Sequence, residues 1–456
     1  MTMRMTLRTI TAVSVMLSPC LMAAQEADSL RRWTLDECID RALEHNIELR
    51  SERLSVEERD ISLSDSRWAF APGLSASAGY NLSIGRVLDE TTYDFITNET
   101  VGSSSASVSG SVLLFNGLRN LRQLQYSRLD REAAALQVEK AADDLRLNVT
   151  AYFLEVLCAW ENIRDCEAVA ASLRKQEEHT SEKVRAGKVT RADLLQIQSQ
   201  LSEAENSLIV AEHSYGMSRL NLCQLLEIED YSSFIPSFDS GDSLEYVPKD
   251  YAAILDGAER LPEIGLARKE VELARKNVQL ARSSYYPSLT LSAGYGSSYS
   301  NVRQKIIPNG DGTYTYSPYP FIEQYRDNAS AYVSFGLSVP ILNGMSARNG
   351  VRRAKVQLQR SELALEMARK SVRKDILQAA MDTEAAWKKY TGSVSYLSSA
   401  REAARQIGVK YEAGAATVVE YNTAMSTLIE AQTQHLSAKY EYLFKLKVLE
   451  FYESRQ

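Results

Sequence analysis

The longest regular pattern in the chain runs from Leu118 to Ala186, a stretch that contains neither glycine nor proline. A single helix over this stretch would be about 100 Å long. Its apolar positions recur at steps of three and four, which is typical of a coiled-coil seam. Many of these positions carry small side chains, which favours close packing of neighbouring helices. The apolar positions of the seam are Ala135, Val138, Ala142, Leu145, Val149, Tyr152, Val156, Ala159, Ile163, Cys166, Ala170 and Leu173.

A shorter helix and two strands precede this long helix. Thr34 and Glu37 have capping-box spacing, so a helix is predicted from Leu35 to about Trp68. After it the period changes to strict alternation, which predicts strands over residues 74–84 and 105–114. On each strand one face is apolar and the other is rich in serine and glycine.

A return helix follows the long one. Gly187 ends the long helix, and Thr190 is the predicted N-cap of the next, with Asp193 at its third position. The return helix has its own seam, which includes Ile197 and Leu201, and it must lie antiparallel to the long helix because the connection is short. Between Glu227 and Leu261 the helical pattern stops, and a linker is predicted.

The same order of elements then repeats. Residues 46–80 align without a gap on residues 261–295, with 11 identities in 35 positions, and SAGY falls on SAGY. Asn343-Gly344 stands where the first half has Asn116-Gly117, and Gly414 and Thr417 stand where it has Gly187 and Thr190. The chain is therefore read as one duplicated unit.

These patterns together define the predicted organisation. It comprises a signal peptide at 1–24, the N-terminal helix of the first repeat at 25–72, a β-hairpin at 73–116, a long helical pair at 117–227, a linker at 228–260, the helix of the second repeat at 261–286, a second β-hairpin at 287–342 and a second long helical pair at 343–456.

The N-terminus indicates export. Two arginines, an apolar run and small residues near Ala24 are typical of a secretory signal peptide. Its removal leaves 50 basic residues against 59 acidic ones, a formal charge of −9, which argues against nucleic acid as a partner. Lipid attachment at Cys20 is an alternative that Pro19 disfavours, and a bridge between Cys158 and Cys223 is left open.

The strands themselves suggest how the chain meets a membrane. Each is long enough to cross a bilayer at a tilt. Four strands cannot close a barrel, and an open edge in hydrocarbon leaves backbone groups unpaired, so the sheet must close through further copies of the chain. Two copies give a barrel filled by side chains, and three can leave a channel. A soluble β-sandwich carried by a coiled coil is the alternative.

The chain resembles the TolC-like outer-membrane efflux channels, the outer membrane factors. The resemblance covers the mature chain and is carried by TLDECIDRALEHN, PGLSASAGY, LLFNG, RAGKVTRADLLQ, LPEI, YPSLTLSAGY, VPILNG and YEAGAATVVEY. It implies an α+β membrane protein that forms a homotrimer, with four strands per protomer completing a 12-stranded barrel in the Gram-negative outer membrane. It also implies a periplasmic α-barrel of long helices, which docks onto an adaptor (membrane fusion) protein and an inner-membrane pump of RND or ABC type.

The resemblance also assigns roles at the two helix turns, which would form the periplasmic tip of the tunnel. The tip residues are Gly187, Thr190, Asp193, Tyr411, Gly414, Thr417, Glu420 and Thr423. In members of the family an arginine two residues after the second glycine holds the tip shut, and here that position is Ala416. The matches of Asp193 and Tyr411 imply that part of the lock remains. Of the acidic pair that narrows the tip, only Glu420 is kept, since its partner position is Thr423.

Enzymatic chemistry is not indicated. The chain has no GxSxG, P-loop, GxGxxG or HExxH motif, and its four histidines are scattered, so no catalytic residue, cofactor or metal site is predicted. His435, on the seam of the last helix, is read as a packed histidine. The predicted function is a passive exit duct of a tripartite efflux or secretion system. A coiled-coil adhesive stalk is the alternative, and the cargo is not encoded in these patterns.

Overall fold

A computed structural model describes residues 32–88, 95–237, 244, 246 and 251–455. The predicted signal peptide and Cys20 lie outside these residues. The described strands are β1 (Arg32–Trp33), β2 (Gly73–Leu88), β3 (Phe95–Phe115), β4 (Ile235–Pro236), β5 (Ser288–Ser300), β6 (Gln304–Pro308), β7 (Tyr314–Pro318) and β8 (Ser330–Ser338). The described helices are α1 (Leu35–His45), α2 (Ile47–Trp68), α3 (Arg119–Arg185), α4 (Arg191–Leu225), α5 (Tyr251–Gly257), α6 (Pro262–Arg282), α7 (Phe321–Asp327), α8 (Ser346–Glu412) and α9 (Val418–Ser454).

The main sheet has the order β2-β3-β5-β8, and all of its pairings are antiparallel. The predicted alternation is present. On one face, serines stand opposite each other, and the hydroxyl oxygens of Ser77 and Ser107 lie 3.0 Å apart. The other face is apolar and largely uncovered, as shown by Leu74, Ile84 and Phe335, which are 79%, 80% and 70% exposed. Among the described strands, β2 and β8 each have a neighbour on one side only.

The helices α3 and α8 each span 67 residues, and each is followed by a return helix. Antiparallel pairing of α3 with α4 is confirmed by contacts such as Arg174 to Glu205, at 2.6 Å between side-chain atoms. Lys389 and Glu441 join α8 to α9 in the same way, also at 2.6 Å. Both long helices begin after a left-handed turn that contains Gly117 or Gly344, with φ of 66° and 58°.

The chain forms two compact units. One comprises residues 48–141 and 251–377 and holds the sheet, α2, α6 and the N-terminal parts of α3 and α8. The other comprises the described residues 32–47, 142–237, 244, 246 and 378–454, and holds α1, α4, α9 and the remaining parts of α3 and α8. Both helical turns of the predicted tip belong to this second unit.

The prediction of one helix from Leu35 to Trp68 is wrong at Asn46. This residue adopts an extended conformation (ψ 128°) and separates α1 from α2. Its side-chain amide donates to the carbonyl oxygen of Leu225 at 3.1 Å, and Arg41 donates to that of Leu226 at 3.3 Å. The break therefore lets α1 supply hydrogen-bond donors to the otherwise unpaired C-terminal carbonyls of α4.

The segment between β5 and β8, inside the predicted second hairpin, contains further regular structure. Strands β6 and β7 pair as a small antiparallel ribbon, and α7 follows. Gln324 on α7 is fully buried, donates to the carbonyl oxygens of Ser300 and Tyr319, and accepts from the Ser300 amide at 3.0 Å. One glutamine thus fastens this loop to the end of β5.

The four described cysteines are free thiols, so the bridge left open between Cys158 and Cys223 is not formed. Cys38 and Cys223 are both fully buried. Burial, together with the nearby Cys223, raises the pKa of Cys38 to about 12. The two residues therefore act as small packing groups between α1 and α4. In the described part of the chain, none of the helices is both long and apolar enough to cross a membrane.

Candidate functional site

The two turns that join the long helices to their return helices are built alike. Gly187 and Gly414 have φ of 69° and 75°, the left-handed region that disfavours residues with a side chain. In the first turn the amide of Lys188 donates to the carbonyl of Lys183 at 2.8 Å. In the second, the amide of Ala415 donates to the carbonyl of Lys410 at 2.7 Å. Each glycine therefore ends its long helix in a Schellman-type cap.

Each return helix then begins with a capping box. The carboxylate of Asp193 accepts from the amide and hydroxyl of Thr190 at 3.0 and 2.8 Å, and the Thr190 hydroxyl accepts from the Asp193 amide. Glu420 and Thr417 repeat this arrangement at 2.8 and 3.0 Å. The hydrogen bonds from Thr417 lower the pKa of the Glu420 carboxyl. The exposed Glu420 side chain is thus held as an anion.

An apolar cluster connects the two turns, and it is called here the tip clamp. It consists of Ile197, Tyr411, Val418 and Tyr421, which are at least nine-tenths buried. The rings of Tyr411 and Tyr421 stack with centroids 5.1 Å apart. The ammonium of Lys183 lies 5.4 Å from the centre of the Tyr411 ring. Residues from α4, α8 and α9 therefore meet in one cluster, and Lys183 of α3 contacts it from outside.

Within the described chain, Asp193 and Tyr411 make separate contacts, and the part of the family's lock that the resemblance assigns to them stays a prediction. The carboxylate of Asp193 bonds to Thr190, and the buried hydroxyl of Tyr411 has no hydrogen-bond partner. Ala416, at the position of the family's arginine, packs against the tip clamp. Thr423 is exposed, and its hydroxyl donates to the carbonyl of Val419 in its own helix at 2.9 Å. Within this chain, apolar packing therefore connects the two turns.

Two further polar side chains of the same compact unit are buried without a hydrogen-bond partner in the described chain. Asn422 is 7% exposed and both of its amide atoms are unpaired, and Thr180 is fully buried with an unpaired hydroxyl. Burying such groups costs about 1–3 kcal/mol each. Together with Tyr411, they reduce the stability of this unit.

Some residues of this site are predicted from the sequence and others are not. Tyr411 was identified through the family resemblance, and Ile197 as a seam position of the return helix. Val418 and Tyr421 were not identified. Their signal is the spacing of three within the first turn of α9, which places both side chains on the helix face that covers Tyr411.

No metal centre is present among the residues that the structure describes. His435 packs against the Tyr390 ring, at 5.5 Å between centroids, and one of its ring nitrogens lies 3.3 Å from the Ser393 hydroxyl. Burial lowers the pKa of this histidine, with a further contribution from Lys439.

This chain is similar in sequence and in fold to known proteins. The chain is 22% identical over 422 residues to the protein CyaE of Bordetella pertussis, covering 92% of this chain and 82% of that protein. It is 24% identical over 423 residues to the outer membrane protein TolC of Vibrio cholerae, covering 90% and 88%. Its fold resembles that of the CmeC outer membrane channel of Campylobacter jejuni, with a TM-score of 0.77 at 15% identity, covering 92% of this chain and 85% of that one.

A family model described as outer membrane efflux protein matches residues 38–226 and 256–451, which together make up most of the chain. The two matched ranges correspond to the two halves of the duplication. The chain therefore belongs to the outer membrane efflux protein family, whose members are TolC-like channels of the outer membrane.

Proposed function

We propose that this protein is the outer-membrane exit duct of a tripartite efflux or secretion system. Three copies would close a barrel of twelve strands in the outer membrane, and their long helices would form a tunnel across the periplasm. A periplasmic adaptor and an inner-membrane pump of RND or ABC type would open the tunnel at its tip. The duct itself performs no chemistry and selects cargo only through its partners.

The main sheet carries this proposal. Its apolar face exposes large side chains such as Ile84 and Phe335, whereas its other face presents serine and glycine. Its outer strands β2 and β8 have one described neighbour each. Such a sheet suits a wall with lipid on one side and water on the other, closed by further copies of the same strands.

The tip clamp supports a second part of the proposal, a closed resting state. Packing of Ile197 against Tyr411 and Tyr421 would hold the two turns of each protomer together. Because the hydroxyl of Tyr411 is buried in this cluster without a partner, the clamp would be only modestly stable. An adaptor that binds at Gly187 and Gly414 could then open it at low cost. Three Glu420 carboxylates, one per protomer, would form a cation-favouring ring at the constriction.

Single-channel recording tests the proposal. Purified protein in a planar bilayer should give discrete conductance steps, and on gels without boiling it should migrate as a heat-sensitive trimer. Crosslinkers placed at the two tip turns should capture a periplasmic adaptor in cells. A folded protein that forms no heat-sensitive trimer and conducts no ions would instead support the coiled-coil stalk.

A further inference from the structure

A cavity of about 320 Å³ lies among helices α3, α4 and α9, and it is called here the carboxylate pocket. Its size is that of a site for a small organic molecule. All of its lining residues belong to the compact unit that also contains the tip. Met425 lines the pocket and also packs against the tip clamp, so the two features adjoin.

The floor of the pocket is apolar. Leu173 and Ala204 are buried together with Ala170 in one cluster, and Val169 packs beside them. Met425 and Ile429 supply apolar surface from α9. A ligand with a flat or aliphatic body could therefore remove apolar surface from water on three sides.

The polar part of the lining is acidic. Each of the three helices contributes one carboxylate, Asp165 from α3, Glu203 from α4 and Glu430 from α9. The lining described for this pocket includes no lysine, arginine or histidine. The side-chain oxygen of Gln200 is buried there without a hydrogen-bond partner, which leaves an acceptor unsatisfied.

The electrostatic environment also indicates that the negative charge of the pocket is only partly compensated. Burial and the neighbouring Glu161 raise the pKa of Asp165, so this carboxylate is poorly compensated despite Arg401 nearby. The side-chain amide of Gln434 donates to Glu430 at 3.0 Å, which holds that carboxylate in place. Within the described residues, no three acidic, histidine or cysteine side chains converge closely enough to hold a metal ion. The charge is thus spread over the pocket.

We propose that the carboxylate pocket binds an organic cation, an amidinium, guanidinium or ammonium group joined to an apolar body. The dispersed carboxylates and the Gln200 oxygen would accept hydrogen bonds from the cationic head, and the apolar floor would cover the body. This combination disfavours anions through charge. It also favours a cation over a neutral polar molecule of the same shape, because the neutral molecule can donate hydrogen bonds to the three carboxylates but lacks the attraction between opposite charges.

A matched pair of ligands tests this inference on the full-length protein in lipid nanodiscs. Benzamidinium and benzamide have nearly the same shape, but only the first is charged. Isothermal titration should show benzamidinium binding at least about tenfold more tightly, as expected for one well-placed ionic contact. Equal affinities for the two ligands would overturn the proposal.

Variants then locate the site. The combined change Asp165→Asn, Glu203→Gln and Glu430→Gln should weaken benzamidinium binding at least about tenfold, whereas Glu212→Gln, at an exposed position of α4 outside the lining, should leave it unchanged. Ser207→Arg, on the exposed rim, should block binding by placing a guanidinium in the pocket. Unchanged binding in both the combined variant and Ser207→Arg would refute the assignment. Because binding is measured without ion flow, the result is independent of the proposed duct function.

Discussion

At the scale of single residues, the two carboxylates of the predicted tip have a structural role at the start of their helices. Asp193 and Glu420 each complete a capping box, which satisfies amide groups that the start of a helix leaves unpaired. Glu420 nevertheless remains exposed and anionic. In the proposed duct, the same side chain would both cap α9 and contribute negative charge at the tip.

We expect Glu420→Ala to reduce the preference of the channel for cations, because the variant removes one negative charge per protomer from the tip. The measurement is the reversal potential across a KCl gradient in a planar bilayer. Thr423→Glu, which restores the family's second acidic position on the exposed face of α9, should shift the reversal potential in the opposite direction. Identical reversal potentials in all three proteins would show that Glu420 does not contribute to the cation preference of the channel.

The stability of the helical unit should depend on His435. Burial and Lys439 lower the pKa of this residue below 6.5, and Arg401 acts in the same sense, whereas Glu161 and Asp165 oppose it. The unfolded chain therefore takes up this proton more readily, so the free energy of unfolding should decrease as the pH falls through about 6.5. Thermal unfolding followed by circular dichroism should show this decrease for the native protein.

The change His435→Gln should flatten that pH dependence while retaining a polar group near Ser393. His213→Gln, at an exposed position of α4, is the control and should leave the dependence as it is in the native protein. A native pH profile in His435→Gln would assign the effect to other groups.

At the scale of secondary-structure elements, the long helices end where glycine permits a left-handed turn. Neither Gly187 nor Gly414 has an atom within 4 Å of the position that a Cβ would occupy. Substitution there is therefore opposed by backbone conformation alone. Gly216, inside α4, also has open space around it but carries no positive φ.

We expect Gly187→Ala and Gly216→Ala to have opposite effects on stability. The first should destabilise the protein by about 1 kcal/mol, because alanine disfavours the left-handed region. The second should stabilise it by about 0.5–1 kcal/mol, because alanine is the better helix former. Paired thermal melts measure both, and destabilisation in both variants would contradict the backbone argument.

The tip clamp is the element contact that should govern the resting conductance. Ile197→Ala removes a fully buried side chain and should weaken the clamp by about 2–5 kcal/mol. The basal open probability in bilayer recordings should rise accordingly. Leu195→Ala, two residues away on the same helix and 57% exposed, should leave it unchanged. Equal open probability in both variants would show that the clamp does not close the channel.

Sequence patterns predict most of the elements but less of the site. Helical seams, alternating strands and the duplication are repeated over many residues, so single exceptions do not hide them. The break at Asn46 was missed because its cause is a hydrogen bond to Leu225, far away in the chain. Likewise, the packing of Tyr411 against Ile197 and Tyr421 depends on the relative positions of three helices, which no local pattern encodes.

At the scale of the whole molecule, one sheet carries two surfaces of opposite character. Val108 on β3 belongs to the apolar face and stands opposite Tyr295, whereas the adjacent Ser109 belongs to the polar face and stands opposite Gly294. In the proposed barrel, Val108 would contact lipid and Ser109 would line water. Neighbouring residues therefore offer a matched test of the arrangement.

We expect Val108→Arg to impair assembly in the outer membrane, because a guanidinium near the middle of the lipid face costs about 2–4 kcal/mol. Ser109→Arg should assemble normally and instead reduce cation conductance. The heat-sensitive trimer band measures assembly, and bilayer recording measures conductance. Normal assembly of Val108→Arg with loss of trimer in Ser109→Arg would show that the faces are reversed.

The outer strands β2 and β8 have a further consequence for how the protein is made. A lone chain presents two strand edges and an uncovered apolar face, both of which promote aggregation. In the proposed barrel, the strand edges find hydrogen-bond partners only when several chains assemble, and the apolar face is then covered by lipid. Productive assembly should therefore rise more steeply than linearly with the supply of new chains, while chains that wait alone are lost. The number of assembled channels in a cell would then depend on the rate of synthesis and on the chaperones that protect each chain until it assembles with other copies.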